Sequence, residues 1–316
     1  MYLASAVVFV NVIMIQLVQI PTAEGLSINW YWKFPATDIL YTPQWNIETV
    51  VSKCPECDCR TYTRKKRIAG GIVAEENEFP WMASLKLAYG QSSIGGATVI
   101  TKQHVLTAAH CVQGFTAEEV VAVLGKHYQK QYEINRKIVG IKEIIQHPGF
   151  EFKRKSGDND IAILKLNHPI SFNTPQIQPA CLPSSENEDY AGYFGTVIGW
   201  GFTDDKYSTT NGIQKVDVPI IPTNDCRNNY IRRNTSFSVT DNMICAGGFK
   251  GQDTCRGDSG GPLHINLDGL GTMKVVGIVS WGTNCGDPGY PGVYTRIDRY
   301  KRWINDNIRE ECLCEI

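Results

Sequence analysis

The chain has 316 residues, 42% of them hydrophobic, enough for a sizeable buried core and about two domain-sized units. Its 31 Lys and Arg against 32 Asp and Glu leave a formal charge of −1, which argues against a nucleic acid or an anionic membrane surface as partner. Eleven cysteines suit an oxidising compartment, and their odd number leaves at least one thiol without a partner in the chain.

From Leu3 to Ile20 the chain is uncharged and mostly aliphatic, and the small residues Ala23 and Gly25 follow. This reads as a signal peptide over residues 1–25, cut after Gly25, and so as a secreted, extracellular protein. A retained membrane anchor is the alternative, but Asn11, Gln16 and Gln19 weaken a span and no Lys or Arg flanks it. Residues 26–53 carry Trp30, Tyr31, Trp32, Phe34 and Trp45 without sustained periodicity and are expected to be an irregular pro-segment. Residues 26–67 as a whole are read as one pro-segment containing Cys54, Cys57 and Cys59. A metal reading of these three needs matching Cys or His pairs elsewhere, and the six histidines are scattered, so disulfides are expected and neither metal nor cofactor. The basic run Arg64-Lys65-Lys66-Arg67 then meets Ile68-Ala69-Gly70-Gly71.

Short β-like runs between turn signals occupy Met82–Ala88, Ala97–Ile100, Val120–Leu124, Lys137–Ile145, Ile161–Leu166 and Thr196–Gly199. More follow at Gln214–Ile221, Pro262–Leu267, Lys274–Ser280 and Gly292–Arg296. Many short strands with Gly and Pro turns indicate an all-β barrel or sandwich. At the end, Ile297, Tyr300, Trp303, Ile304 and Ile308 follow helical spacing, which predicts an amphipathic helix.

The chemistry is concentrated in Asp253-Thr254-Cys255-Arg256-Gly257-Asp258-Ser259-Gly260-Gly261-Pro262. A serine hydroxyl is a weak nucleophile until a base takes its proton and backbone N–H groups hold the developing oxyanion. Glycines on both sides of Ser259 let the backbone bend so that N–H groups face the reacting carbonyl. A histidine near neutral pKa is the natural base. His110 lies in Thr107-Ala108-Ala109-His110-Cys111, whereas His104, His127, His147, His168 and His264 read as surface or packed residues. Gly157-Asp158-Asn159-Asp160 supplies carboxylates just before an apolar strand.

These three stretches resemble the GDSGGP, TAAHC and D-I-A-L-L motifs of the chymotrypsin-like serine proteases, over residues 68 to about 310 and in the His, Asp, Ser order of that family. The resemblance implies two six-stranded antiparallel β-barrels with a C-terminal helix, and a trypsin-like catalytic domain over 68–316. It implies Ser259 as nucleophile, His110 as general base, Asp160 as the acid that orients it, and the Gly257 and Ser259 N–H groups as oxyanion hole. Asp158, the competing acid, is expected to face solvent. Arg67-Ile68 resembles the family's activation junction, with Ala69 where Val is usual; the freed Ile68 ammonium would pair with Asp258 and order the loop. Asp253 would lie at the floor of the primary pocket, with Ser280, Trp281, Gly282 and Gly292 lining it, which implies cleavage after Arg or Lys. Lys126 and Arg136 replace the glutamates of calcium-binding members, and Pro291 replaces the Tyr of sodium-activated ones, so neither ion is expected. Gly157 implies an open second subsite, and Arg256 a preference for acidic residues near the bond. Cys226–Cys245 and Cys255–Cys285 match family bridges, and Cys181 resembles the cysteine tied to the pro-segment, here to Cys54, Cys57 or Cys59. A further family bridge is missing, its positions taken by Gly195 and the His264–Gly271 stretch. Ile94 stands where the partner of Cys111 is usual, so Cys111 is expected to be a buried free thiol. Asn234-Thr235-Ser236 is a glycosylation sequon. The expected partners are protein or peptide substrates, an activating protease and protein inhibitors. A restricted cascade or venom protease is the favoured role, a digestive trypsin the alternative, and a non-catalytic homologue acting as a binding module the alternative of another class.

Overall fold

A computed structural model gives the backbone of residues 7–10, 13–22 and 25–32, then describes Cys57, Cys59, 71–90, 92–129, 131, 133–151, 157–201, 211–233, 238–249, 257–267, 271–283, 286–309 and 311–316. The chain divides into two compact units, Met1–Val51 and Ser52–Ile316.

In the first unit β1 (Val7–Val10), β2 (Ile13–Thr22) and β3 (Gly25–Trp32) form an antiparallel sheet in that order. Strand β3 corrects the expectation of an irregular segment from residue 26. Its residues Leu26, Ile28, Trp30 and Trp32 alternate with Ser27, Asn29 and Tyr31, the period-two pattern of a strand, with Thr22 opposite Gly25 at the turn.

The second unit begins its sheets with the short β4 (Ile72–Val73). Strands β5 (Met82–Leu87), β6 (Ser93–Val99), β7 (His104–Thr107), β8 (Val120–Leu124), β9 (Lys137–Gln146) and β10 (Ala162–Leu166) close one barrel in the order β10-β7-β6-β5-β8-β9. In its strands Leu85, Val99, Leu106, Leu124, Ile163 and Leu166 are fully buried. After β11 (Cys181–Leu182), the second barrel is built from β12 (Phe194–Gly199), β13 (Gln214–Ile221), β14 (Met243–Ala246), β15 (Pro262–Asn266), β16 (Met273–Trp281) and β17 (Gly292–Arg296). They follow the order β12-β15-β16-β17-β14-β13, closed by β12 on β13, with β4 added outside β13. Both six-stranded barrels agree with the expected fold class.

Helix α1 (Ala109–Val112) is one turn at the end of β7. Helix α2 (Thr223–Arg232) buries only Cys226 and Tyr230; its sequence, TNDCRNNYIR, has no apolar stripe to announce it. The predicted C-terminal helix is a 3-10 turn, Ile297–Tyr300, running into α3 (Lys301–Asn307), with Ile297, Tyr300, Ile304 and Ile308 buried as the spacing requires. Beyond it β18 (Cys314–Glu315) pairs in parallel with β11, Cys181 opposite Cys314. Cys57 is bridged to Cys314, Cys59 to Cys181, and Cys226 to Cys245. Cys312 is also disulfide-bonded, its partner lying outside the described residues, as do Cys54, Cys255 and Cys285. Among the described cysteines Cys111 alone is free, and it is buried.

Where the family bridge is missing, Gly195 pairs with Ile265, and the neighbouring His264 ties three segments instead. Trp81 Nε1 donates to His264 Nε2 at 2.6 Å, and His264 Nδ1 bonds Thr196 O at 2.9 Å. The ring therefore carries its proton on Nδ1 and is neutral. Complete burial pushes its pKa down to about 4, only partly opposed by the Thr196 bond.

Candidate active site

The site lies where the barrels meet. Gly96 N–H in β6 donates to Ser259 O at 2.7 Å, crossing from the first barrel to the second. From the second barrel, the Ser280 and Thr295 hydroxyls reach the segment just before β10: Ser280 Oγ donates to Asp160 Oδ2 at 2.5 Å, and Thr295 Oγ1 to Asp160 O at 2.7 Å.

Asp160 is only 2% exposed. A buried carboxylate is costly unless donors surround it. Here Oδ1 accepts from the His110 backbone N–H at 2.8 Å, and Oδ2 from His110 Nδ1 at 2.7 Å as well as from Ser280. The imidazole is thereby fixed with Nδ1–H toward Asp160 and Nε2 free to face elsewhere. Burial alone would lower the His110 pKa; its hydrogen bonds to Asp160 and Cys111, with their charges, outweigh that and raise it above the ordinary imidazole value.

Cys111 Sγ lies 3.6 Å from His110 Nε2. Among the described residues no other partner is recorded at that nitrogen, and none for Ser259 Oγ. The Ser259 segment runs immediately beside the thiol. A Cβ on Gly95 would come within 2.8 Å of both Cys111 Sγ and Ser259 O, and one on Gly260 within 3.2 Å of the sulfur. Gly257 and Gly260 flank Asp258-Ser259 at φ of 100° and 79°, a conformation that other L-residues adopt only at a cost. The turn is closed by Gly261 N–H on Asp258 O and Gly260 N–H on Val279 O, both 2.9 Å. The N–H groups of Gly257 and Ser259 have no recorded partner among the described residues. The Asp258 carboxylate accepts from Gly201 N–H at 2.8 Å, and a Cβ on Gly199 or Gly201 would collide with it.

Gly282 and Gly292 face each other, so that a Cβ on the first would find the Cα of the second at 3.9 Å. Trp281 follows Ser280 at the end of β16. Asp253, Arg256, Arg67, Ile68 and Asn234 lie outside the described residues.

Two expectations are corrected. Asp158 does not simply face solvent: it accepts from Thr240 Oγ1 at 2.8 Å and from Asn242 Nδ2 at 3.1 Å, fastening its loop to the approach to β14. The space beside Gly157 is not open either. Its φ is 58°, and a Cβ there would meet Trp281 Nε1 at 2.6 Å, so the indole edge fills what the missing side chain vacates. Sequence reasoning placed Ser280 among the pocket residues without seeing that its hydroxyl is engaged by Asp160; position beside Trp281 carries no sign of that bond.

The Trypsin family model matches residues 68–304 of the chain. Phenoloxidase-activating factor 3 of Holotrichia diomphalia is 35% identical over 260 residues, covering 77% of this chain and 73% of that one. CLIP domain-containing serine protease B4 of Anopheles gambiae is 34% identical, covering 83% and 75%. Melanization protease 1 of Drosophila melanogaster is 34% identical, covering 77% and 66%.

Proposed function

The chain belongs to the trypsin family of serine proteases, and on that premise we propose that it is an active endopeptidase that cuts after Arg or Lys. The carrying observation is the buried Asp160–His110 pair, fixed by donors from both barrels, beside a serine set between two left-handed glycines. Ser259 Oγ attacks the scissile carbonyl while His110 Nε2 takes its proton, later delivered to the leaving amine. Asp160 stays ionised, keeps the imidazole in the required tautomer and stabilises the imidazolium. The Gly257 and Ser259 N–H groups, not used within the turn, hold the oxyanion. Water then repeats the sequence on the acyl-enzyme.

Primary specificity is assigned to Asp253, with the opposed Gly282 and Gly292 leaving room for a long side chain. A carboxylate there calls for a cationic substrate residue. The enzyme is made as a zymogen and activated by cleavage between Arg67 and Ile68. The new ammonium pairs with Asp258, whose carboxylate occupies the space that side chains at positions 199 and 201 would otherwise fill. Relatives named as phenoloxidase-activating, CLIP-domain and melanization proteases support a restricted extracellular role over a digestive one. Among the described residues no helix is long and apolar enough to cross a membrane.

The test is direct. Protein cut at Arg67–Ile68 should titrate one serine with a fluorophosphonate and cleave peptides after Arg and Lys. Asp253→Ser should lower kcat/KM on those peptides by about a hundred- to a few thousand-fold while the serine still titrates. A cut protein whose serine fails to titrate would instead be a binding module with an inert site. Equal loss on peptides with apolar residues at the bond would remove Asp253 from the pocket.

A further inference from the structure

Helix α2 is an anchored element. Cys226 ties it to Cys245 in β14, and Tyr230 is buried with its ring 5.0 Å from Trp281. Its C-terminal end projects two side chains onto the turn Gly286–Pro291, which runs directly into Gly292. Tyr230 OH donates to Pro291 O at 2.7 Å. Arg233, capping the helix, forms an ion pair with Asp287 and lays its guanidinium 4.2 Å over the centroid of the Tyr290 ring. Tyr290 in turn packs edge-on to Tyr230 at 6.0 Å. Within the turn, Gly289 N–H also donates to Gly248 O and Tyr290 N–H to Asp287 O, at 2.8 and 3.0 Å.

We propose that Arg233 is a positioning residue for substrate: its guanidinium fastens the Gly286–Pro291 turn to helix α2, and so holds the Gly292 wall of the primary pocket at its working distance from Gly282. This rests on the reading of Gly282 and Gly292 as pocket walls. The chemistry suits an arginine. One flat face stacks on an aromatic ring while the edge hydrogen-bonds a carboxylate, which a lysine ammonium cannot do at once. Arg233 and Asp287 are both partly exposed, at 33% and 23%, so the pair adds little to overall stability. The two contacts act together on one turn, beside the Tyr230 bond to Pro291 and the Gly289 bond to Gly248, and so bear on where that turn lies. Arg233 touches neither the triad nor the bound residue, so its effect belongs to substrate binding and not to the chemical step.

The experiment uses the cut, full-length protein with short peptides ending in Arg before the scissile bond. Arg233→Ala should raise KM about tenfold and leave kcat within about twofold, the combined size of a cation–ring contact and a partly exposed ion pair. Arg233→Lys should fall between, since it restores the charge but not the stacked fork. Asp287→Ala should resemble Arg233→Ala, and the double variant should be no worse than either single one, as expected for two halves of one contact. Fluorophosphonate titration and the melting temperature should match the parent protein. A KM within twofold of the parent overturns the proposal. So does a kcat that falls in step with a lowered melting temperature, which would make Arg233 a structural residue only. Failure of the underlying reading looks different: the parent protein itself would then not cleave after Arg.

Discussion

Asp160 and Ser259 both lie at the barrel junction and are held in different ways. Asp160 is enclosed by side-chain and backbone donors from both barrels, and every one of those bonds is closed in the uncut chain. Ser259 sits on a turn among glycines, held by main-chain bonds and by the Asp258 carboxylate on Gly201 N–H, with the N–H groups that would serve catalysis unused among the described residues. A carboxylate taken out of water must be satisfied for the chain to fold at all, so the base half is completed by folding. Unused N–H groups at a surface turn carry no such requirement, and the nucleophile half can wait for a later event.

The largest effect should come from keeping the nucleophile half waiting. Arg67→Gln should leave the chain uncut and without measurable peptidase activity, read by cleavage of an Arg peptide alongside electrophoresis. An uncut variant as fast as the parent would show that both halves are complete from the start. Next, Asp160→Asn breaks the base half alone and should lower kcat by about four orders of magnitude in the cut protein, the loss expected when the imidazole takes the wrong tautomer. The comparison is sharpened by proton NMR at low field: the His110 Nδ1–H resonance should be present before cleavage and survive it. Its appearance only after cleavage would contradict a base half made by folding. Ser280→Ala removes one donor from the enclosed carboxylate and should cost about ten- to a hundredfold in kcat, with cleavage at Arg67 unaffected.

The last effect is confined to acid. His264 is neutral in the fold, its pKa pushed down to about 4 from 6.5, so it lends stability above pH 6.5 that is lost progressively as pH falls toward 4. His104, also lowered to about 4 by burial and by Lys165, adds in the same direction. His264→Gln keeps a donor and an acceptor but cannot take a proton. Its melting temperature should therefore fall less steeply between those pH values than that of the parent. An unchanged slope would place the acid sensitivity elsewhere.

Much of this was legible beforehand, for physical reasons. Strands such as Gln214–Ile221 and Gly292–Arg296 begin and end as the β-branched runs and turn residues require, and the Ile297–Ile308 spacing matched its buried face. Strand β14 escaped because Met-Ile-Cys-Ala is buried at every position, which leaves no alternation to see. Helix α2 escaped for the converse reason, being almost all polar. At the site, His110, Asp160 and Ser259 stand in recognisable motifs. The hydroxyl of Ser280, the Asp158 clamp, the indole beside Gly157 and the guanidinium of Arg233 are side-chain destinations set by long-range packing, 120 residues apart for Ser280 and Asp160. Local sequence carries no trace of those.

Seen as a covalent graph, the pairing of Cys57 with Cys314 and of Cys59 with Cys181 has a further consequence. In the uncut chain these two bridges close two independent rings, one spanning nearly the whole protease domain, with separations of 257 and 122 residues. A single scission between Arg67 and Ile68 lies on the path shared by both, so it leaves one ring instead of two, while every residue stays attached. Nothing is released, yet the unfolded chain gains the freedom that the lost ring had denied it, about 5 kcal/mol by polymer-loop arithmetic for a ring of that size. A molecule cut there would thus be topologically looser than the uncut chain, and whatever the new terminus gained by docking would be set against that loss.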